Sequence, residues 1–352
     1  MIIAPSPVQN DDYAEIASYH GRQNVLVLDC HFIDLYLQCD ISVQIISGVS
    51  RMLPFRLFII VCVTILVFPN SVFESQSDQE IEGSLTFASD RDGDLEIFVL
   101  NIDTNKTDQL TENSTADFSP DWSPDGTQIA YVSDGSGKNE LYVMNNDGGK
   151  VTQITDSGID VFCPSWSPDG TQIAFSGVTN NKSSIYFISP DGRNLQRITD
   201  PKTDASCPSW SPDGTQIVFT AVIDNNSEIY VLSLNSSENE VLQLTNNPSL
   251  DNEAKWSPDG NRILFYSIRD SSEDIFIYDI DSGSIVNVND NEFIDYSPNW
   301  DSSGQFIVYT SIQNDNQDIY IQDLTSGEII RVTDSPAYDG DADWWVDMNP
   351  DS

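Results

Sequence analysis

Six tryptophans recur through the sequence, at Trp122, Trp166, Trp210, Trp256, Trp300 and Trp344, and the residues leading into them carry most of what could do chemistry. Five residues before each stand Asp117, Val161, Ala205, Asp251, Asp295 and Asp339; three before each stand Ser119, Cys163, Cys207, Glu253, Ser297 and Asp341. If these positions enter strands around a common axis, Asp251, Glu253, Asp295, Asp339 and Asp341 gather with Asp117 at one mouth, facing an apolar side at Val161 and Ala205. Clustered carboxylates would bind a cation, with calcium suited to all-oxygen ligands, or the basic end of a protein or small ligand. Capping of turn N–H groups is the structural alternative. Cys163 and Cys207 occupy one position in consecutive repeats. They form a disulfide only if both lie very close to the axis, since the bridge needs Cα atoms within about 7 Å; otherwise they are free, partly buried thiols.

The histidines, His20 and His31, both precede the repeats. Within the repeats that removes Ser-His-Asp triads, histidine general bases and histidine metal sites. An enzyme here would run on Asp and Glu alone, as a glycosidase carboxylate pair does. The recurring Asp125, Asp169, Asp213 and Asp259 lie in Trp-Ser-Pro-Asp-Gly segments and read as turn residues. Asp90–Glu96 resembles a calcium loop superficially, but it aligns with ordinary turns such as Ser133–Glu140 and lacks the 12-residue spacing of an EF-hand. Recurring aromatics read as core, since they bury the most area per residue. Trp345 breaks the pattern: strand neighbours face opposite ways, so it either covers the N-terminal sheet or lines a site.

The elements that would position these residues follow from the spacing. Successive tryptophans are 44, 44, 46, 44 and 44 residues apart, a period that marks a repeat architecture. Each repeat holds β-branched and aromatic runs, for example Trp122, Ile129-Ala130-Tyr131, Leu141-Tyr142-Val143 and Gln153-Ile154-Thr155, separated by Gly, Pro, Asp and Asn clusters. These are strands joined by tight turns, and four of them make an antiparallel meander. The two extra residues in the 46-residue interval fall in a turn around Asn235–Asn239. Leu85, Ile97 and Leu110 head second, third and fourth strands with no tryptophan strand before them, while Trp344 heads a first strand with only the tail 347–352 after it. The expected fold is all-β: a six-bladed β-propeller over 84–346, closed by pairing the C-terminal strand with the N-terminal three.

Outside the repeats the sequence changes character. Residues 1–50 carry apolar runs interrupted by Asp29, Asp34 and Asp40, and no fold is assigned to them. Basic Arg51 and Arg56, the apolar run Leu57–Phe68 and the small polar residues after it place a signal peptide or retained anchor over 52–75, with 76–83 as a linker. The run is short for a span of about 20 residues. Met52 makes a natural start for such a signal, which would leave 1–51 untranslated.

The net charge is −41, and from Glu74 onward 12 basic residues face 50 acidic ones. A surface so acidic repels phosphate backbones and anionic lipid, which argues against nucleic acid as a partner and leaves membrane attachment to the N-terminal segment.

The pattern Pro-x-Trp-Ser-Pro-Asp-Gly, Ile-Ala-Phe/Tyr, Ile-Tyr-Val, Asn-x-Asp-Gly, Leu-Thr resembles the TolB-type, WD-like propeller repeat over about residues 84–346. The resemblance implies that the Pro-x-Trp-Ser strand is innermost and that the protein is extracytoplasmic. The protein that gives the family its name carries an α/β domain before its propeller, for which residues 74–83 are too few. Related propellers include peptidase-attached forms and a pectin-fragment lyase whose metal site uses histidines that these repeats lack. The expectation is an exported, monomeric, non-catalytic scaffold for a protein or ligand, with no required cofactor. A carbohydrate-active enzyme using Asp and Glu, and a structural envelope component, are the competing classes.

Overall fold

The β-branched and aromatic runs form the strands that their alternation requires. A computed structural model describes residues 25–33, 36–44, 81–235, 240–269 and 272–347, divided between two units, Met1–Gln76 and Ser77–Ser352. In the first unit, Val25–Ile33 pairs antiparallel with Tyr36–Gln44, so a stretch without a sequence assignment contains a hairpin. The signal or anchor segment 52–75 lies outside the described residues. Among those described there is no helix, so none long and apolar enough to cross a membrane.

The second unit is built of four-stranded antiparallel meanders. Four stand as separate sheets, and two more share an eight-stranded sheet through the parallel bridge Glu273↔Ile294. The order within each is sequential except at one place. There Asp339–Trp345 pairs with Ser84–Ser89, which continues to Glu96–Asn101 and Lys106–Gln109. This composite sheet packs on one side against the 294–331 sheet, where Trp344 lies 6.2 Å from Phe306 between ring centroids. On its other side it packs against the 117–153 sheet, where Trp345 lies 5.8 Å from Trp122.

Second and third strands are buried on both faces because a sheet packs against each. Ile129, Ala130, Tyr131 and Val132 are all at most 3% exposed. Fourth strands are outermost and exposed, as in Lys106–Gln109. Each Trp-Ser-Pro-Asp-Gly segment closes a hairpin. Ser123 Oγ donates to Asp125 Oδ1 at 2.7 Å, Thr127 N–H donates to the same oxygen at 3.1 Å, and Gly126 turns the chain with φ +65°. These donors hold the Asp125 carboxyl below its ordinary range, led by Ser123. The glycine has a second reason to be there: a Cβ at 126 would run into the Trp345 ring.

Every tryptophan strand is kinked at one place. The pairing register shifts between the residues four and one before the tryptophan, from Phe118/Asp121 round to Gly340/Asp343. The residue three before it takes a left-handed conformation in all cases: Ser119 (φ 50°), Cys163 (46°), Cys207 (48°), Glu253 (51°), Ser297 (48°) and Asp341 (55°). Two residues therefore oppose one, which is a β-bulge.

Candidate functional site

The bulges decide which residues meet. A regular strand would put positions five, three and one before the tryptophan on one face. The extra residue breaks that alternation and aims position three inward. A narrow cavity of ≈ 80 Å³ results, lined by Ser119, Cys163, Cys207, Glu253, Ser297 and Asp341 together with Lys255, Asn299, Asp343 and neighbouring prolines. The lining comes from all the tryptophan strands, including the C-terminal one.

The expected acidic mouth is therefore divided. Glu253 and Asp341 line the cavity. Asp117, Asp251, Asp295 and Asp339 do not; each is 0–1% exposed and lies where one sheet packs on the next. Asp251 and Asp339 meet Arg269 and Arg91 there, while Asp295 receives Asn289 Nδ2 and Asn291 Nδ2 at 2.6 and 2.7 Å. Trp345 also leaves the site: its ring packs on Trp122 and over the Gly126 turn. Cys163 and Cys207 are joined as a disulfide across the cavity wall, with Cα atoms 5.0 Å apart.

Of the residues just before the tryptophans, which strand alternation gives no reason to expect here, Lys255, Asn299 and Asp343 complete the lining. Asp343 Oδ2 accepts from Trp122 N–H at 2.6 Å, and Asp121 Oδ2 accepts from Trp166 N–H at 2.7 Å, each carboxylate tying one sheet to the next. Asn299 Nδ2 donates to Asp343 Oδ1 at 2.6 Å. Lys255 is the basic residue of the lining. A signal for this was present in Pro120, Pro164, Pro208 and Pro298, since proline inside a paired strand marks a bulge or an edge.

Electrostatically the cavity is a concentration of carboxyl groups in a confined space, with Lys255 among them. Ser297 Oγ lies 2.9 Å from Glu253 Oε2 and 3.2 Å from Asp341 Oδ1, and one hydroxyl proton serves only one of them at a time. Burial, with Asp341 beside it, pushes Glu253 up to about 7. Burial raises Asp341 and Asp343 as well, and burial plus the charge of Asp343 raises Asp121 well above its ordinary value. Lys255 offsets part of this in each case.

The sign of the Glu253 effect follows from proton counting. Between its unfolded value of 4.5 and about 7 the folded protein holds a proton that the unfolded chain has released. Stability therefore falls as pH rises through that window and levels off above it. Allowing for solvent in the cavity, the loss is about 2–3 kcal/mol. Glu253→Gln is expected to flatten the stability difference between pH 5 and pH 8 by about that amount, read by denaturant unfolding at both values. An unchanged difference would show that Glu253 titrates normally.

A family model described as the TolB beta propeller domain matches residues 82–161 and 153–340. The chain belongs to the TolB β-propeller domain family. Its fold is similar to TolB from Acinetobacter baumannii, with TM-score 0.66 and 22% identity over 74% of this chain and 66% of that one. It is similar also to the putative TolB from Agrobacterium tumefaciens, with TM-score 0.61 and 21% identity over 76% of this chain and 100% of that one. An oligogalacturonate lyase in complex with manganese shares the fold at TM-score 0.52 and 15% identity, over 71% of this chain and 73% of the lyase. No curated protein matches the chain in sequence. At these identities the likenesses carry the fold, and function has to be argued from the site.

Proposed function

We propose that this TolB-type protein is an exported, non-catalytic six-bladed propeller that binds a cationic group of a partner protein or ligand at its central cavity. Closure of the ring is supported by the composite sheet, which packs through Trp344 on one neighbour and through Asp343 and Trp345 on the other. The observation that carries the binding role is the charge of the cavity: Glu253, Asp341 and Asp343 in the lining, Asp121 behind them, and Lys255 as counter-charge. An arriving ammonium or guanidinium would relieve that repulsion, and ≈ 80 Å³ admits the tip of a lysine or arginine side chain. Export is supported by the signal-like composition of 52–75 and by the Cys163–Cys207 disulfide, which suits an oxidising compartment.

The competing reading is a carbohydrate-active enzyme using Glu253 and Asp341, the one carboxylate pair bridged by a hydroxyl in the cavity. The space argues against it, since sites that enclose a small molecule run to about 300–1,000 Å³. The test is a Glu253→Gln/Asp341→Asn variant, assayed separately for capture of partners from the native envelope fraction, for binding of a lysine-rich synthetic peptide, and for glycan breakdown. Peptide affinity is expected to fall at least about tenfold, the equivalent of 1.4 kcal/mol, with no glycan turnover in either protein. Equal peptide binding by both proteins sinks the cavity role; turnover by the parent alone makes it an enzyme.

A further inference from the structure

The repeats offer an internal comparison at the interfaces between sheets. In two sheets the aspartate five residues before the tryptophan is neutralised by an arginine of its own sheet, Arg91 just past the end of the second strand and Arg269 its last residue. Arg91 Nη2 lies 2.8 Å from Asp339 Oδ1, and Arg269 Nη2 lies 3.3 Å from Asp251 Oδ1. The two guanidinium groups are held alike. Each Nε donates to the serine paired with that aspartate, Ser89 at 2.9 Å and Ser267 at 2.8 Å. Each plane covers a phenylalanine ring, Phe98 at 4.5 Å and Phe276 at 4.3 Å. A cation stands beside this aspartate in two of the four sheets that carry it; beside Asp295, which pairs with Ser311, the arginine's place holds Gln313, and Asn289 and Asn291 donate to the carboxylate instead.

The 117–153 sheet has the aspartate and the serine without the arginine. Asp117 pairs with Ser133, and two residues past Ser133, where those two sheets have arginine, stands Gly135. A Cβ there would meet Thr115 Oγ1 at 3.5 Å and Ser133 Oγ at 3.6 Å, ordinary contacts, so the place is open. The carboxylate pair is the same as in the Asp251 sheet, where Asn247 donates to Glu228 Oε1 at 2.8 Å and to Asp251 Oδ2 at 2.7 Å; what is missing is the arginine. Asn113 Nδ2 donates to both Asp117 Oδ2 at 2.8 Å and Glu96 Oε2 at 3.3 Å, which brings a second carboxylate from the composite sheet against the first. Glu96 is 0% and Asp117 1% exposed. No described Lys or Arg forms an ion pair with either. Asp117 Oδ1 is buried without a hydrogen-bond partner, as are Asp295 Oδ1 and Asp339 Oδ2 at the same place in their sheets; here Asp94 Oδ2, two residues before Glu96, is a further one.

We propose that a hard cation, calcium by preference, binds between the composite sheet and the 117–153 sheet against Glu96 and Asp117, in the place an arginine guanidinium takes beside Asp251 and Asp339. The donors at hand are all oxygens, which suits calcium over softer metals. Among the described residues no three acidic, histidine or cysteine groups converge as a metal cluster. The two carboxylates therefore share the ion with neutral oxygens such as the Ser133 hydroxyl and with water. Such a ligand set places affinity at about 0.1–1 mM, the range of extracellular calcium modules.

The test uses the full chain, with calcium chloride and magnesium chloride as probes in calorimetric titration and thermal melting. Calcium at several times that concentration is expected to raise the melting temperature by about 2–5 °C. Asp117→Asn should lose the response, and the cavity variant Glu253→Gln/Asp341→Asn should keep it. Gly135→Arg, which restores the arginine of the sister sheets, should raise the calcium-free melting temperature and no longer respond. No heat and no shift in the parent protein overturns the proposal, as does an Asp117→Asn variant that responds like the parent. A melting temperature that rises on acidification yet ignores calcium also overturns it, and assigns the place to a proton shared by the two carboxyls.

Discussion

Replacing Trp344 by alanine is expected to destabilise the protein by about 3–5 kcal/mol, the range for truncating a large aromatic in a packed core. The ring is 7% exposed, sits in a cluster with Leu85, Phe87, Phe306 and Val308, and its Nε1–H donates to Glu82 O at 2.9 Å. Domain stabilities are typically about 5–15 kcal/mol, so the variant should approach the edge of folding. The internal control is Trp166→Ala, in a sheet whose strands are consecutive in sequence; Trp166 is also 7% exposed. If the 339–345 strand completes its sheet as firmly as any other first strand, the two substitutions cost the same within about 1 kcal/mol. A Trp344→Ala cost below about 1 kcal/mol, as for an exposed position, would mean that the C-terminal strand is loosely attached, and ring closure would fail with it.

The repeat made that strand legible. A fixed interval from tryptophan to tryptophan leaves the incomplete N-terminal and C-terminal repeats as complements of one another, and no side-chain detail is needed to see it. The site was less legible because one residue of bulge resets every face. Asp117 and Ser119 stand two apart, as do Asp251 and Glu253, and strand alternation assigns each pair a common direction. The left-handed residue separates them, sending Glu253 into the cavity and Asp251 between sheets. The same step brings in Asp343 and Lys255, which alternation alone does not distinguish from other polar residues. Arg91 and Arg269 were hidden for another reason. Each lies at or just past the end of a second strand, where an isolated arginine reads as solvated surface, and only the register Asp339↔Ser89 and Asp251↔Ser267 brings it over a buried aspartate. The hairpin at 25–44 belongs to no repeat, and the aspartates within its apolar runs left no periodic pattern to weigh.

Opening the Cys163–Cys207 disulfide is the other change with a large expected effect. The bridge joins residues 44 apart in sequence, in the tryptophan strands of adjacent sheets. Restricting an unfolded loop of that length is worth about 4 kcal/mol on a chain-entropy estimate, although native bridges commonly deliver about 2–4. The Cys163→Ser/Cys207→Ser variant should lose that amount in denaturant unfolding, and added reductant should then have no further effect at this pair. The bridge also lies in the cavity wall, on two of the left-handed positions that shape it. Its loss would free the 160–166 and 204–210 strands to part on the side away from Glu253 and Asp341, so binding of a basic peptide should weaken together with stability. Unchanged stability in the double serine variant would mean that the two sulfurs are neighbours without a bond. Lost stability with intact peptide binding would confine the bridge to a structural role and place recognition on the acidic side of the cavity.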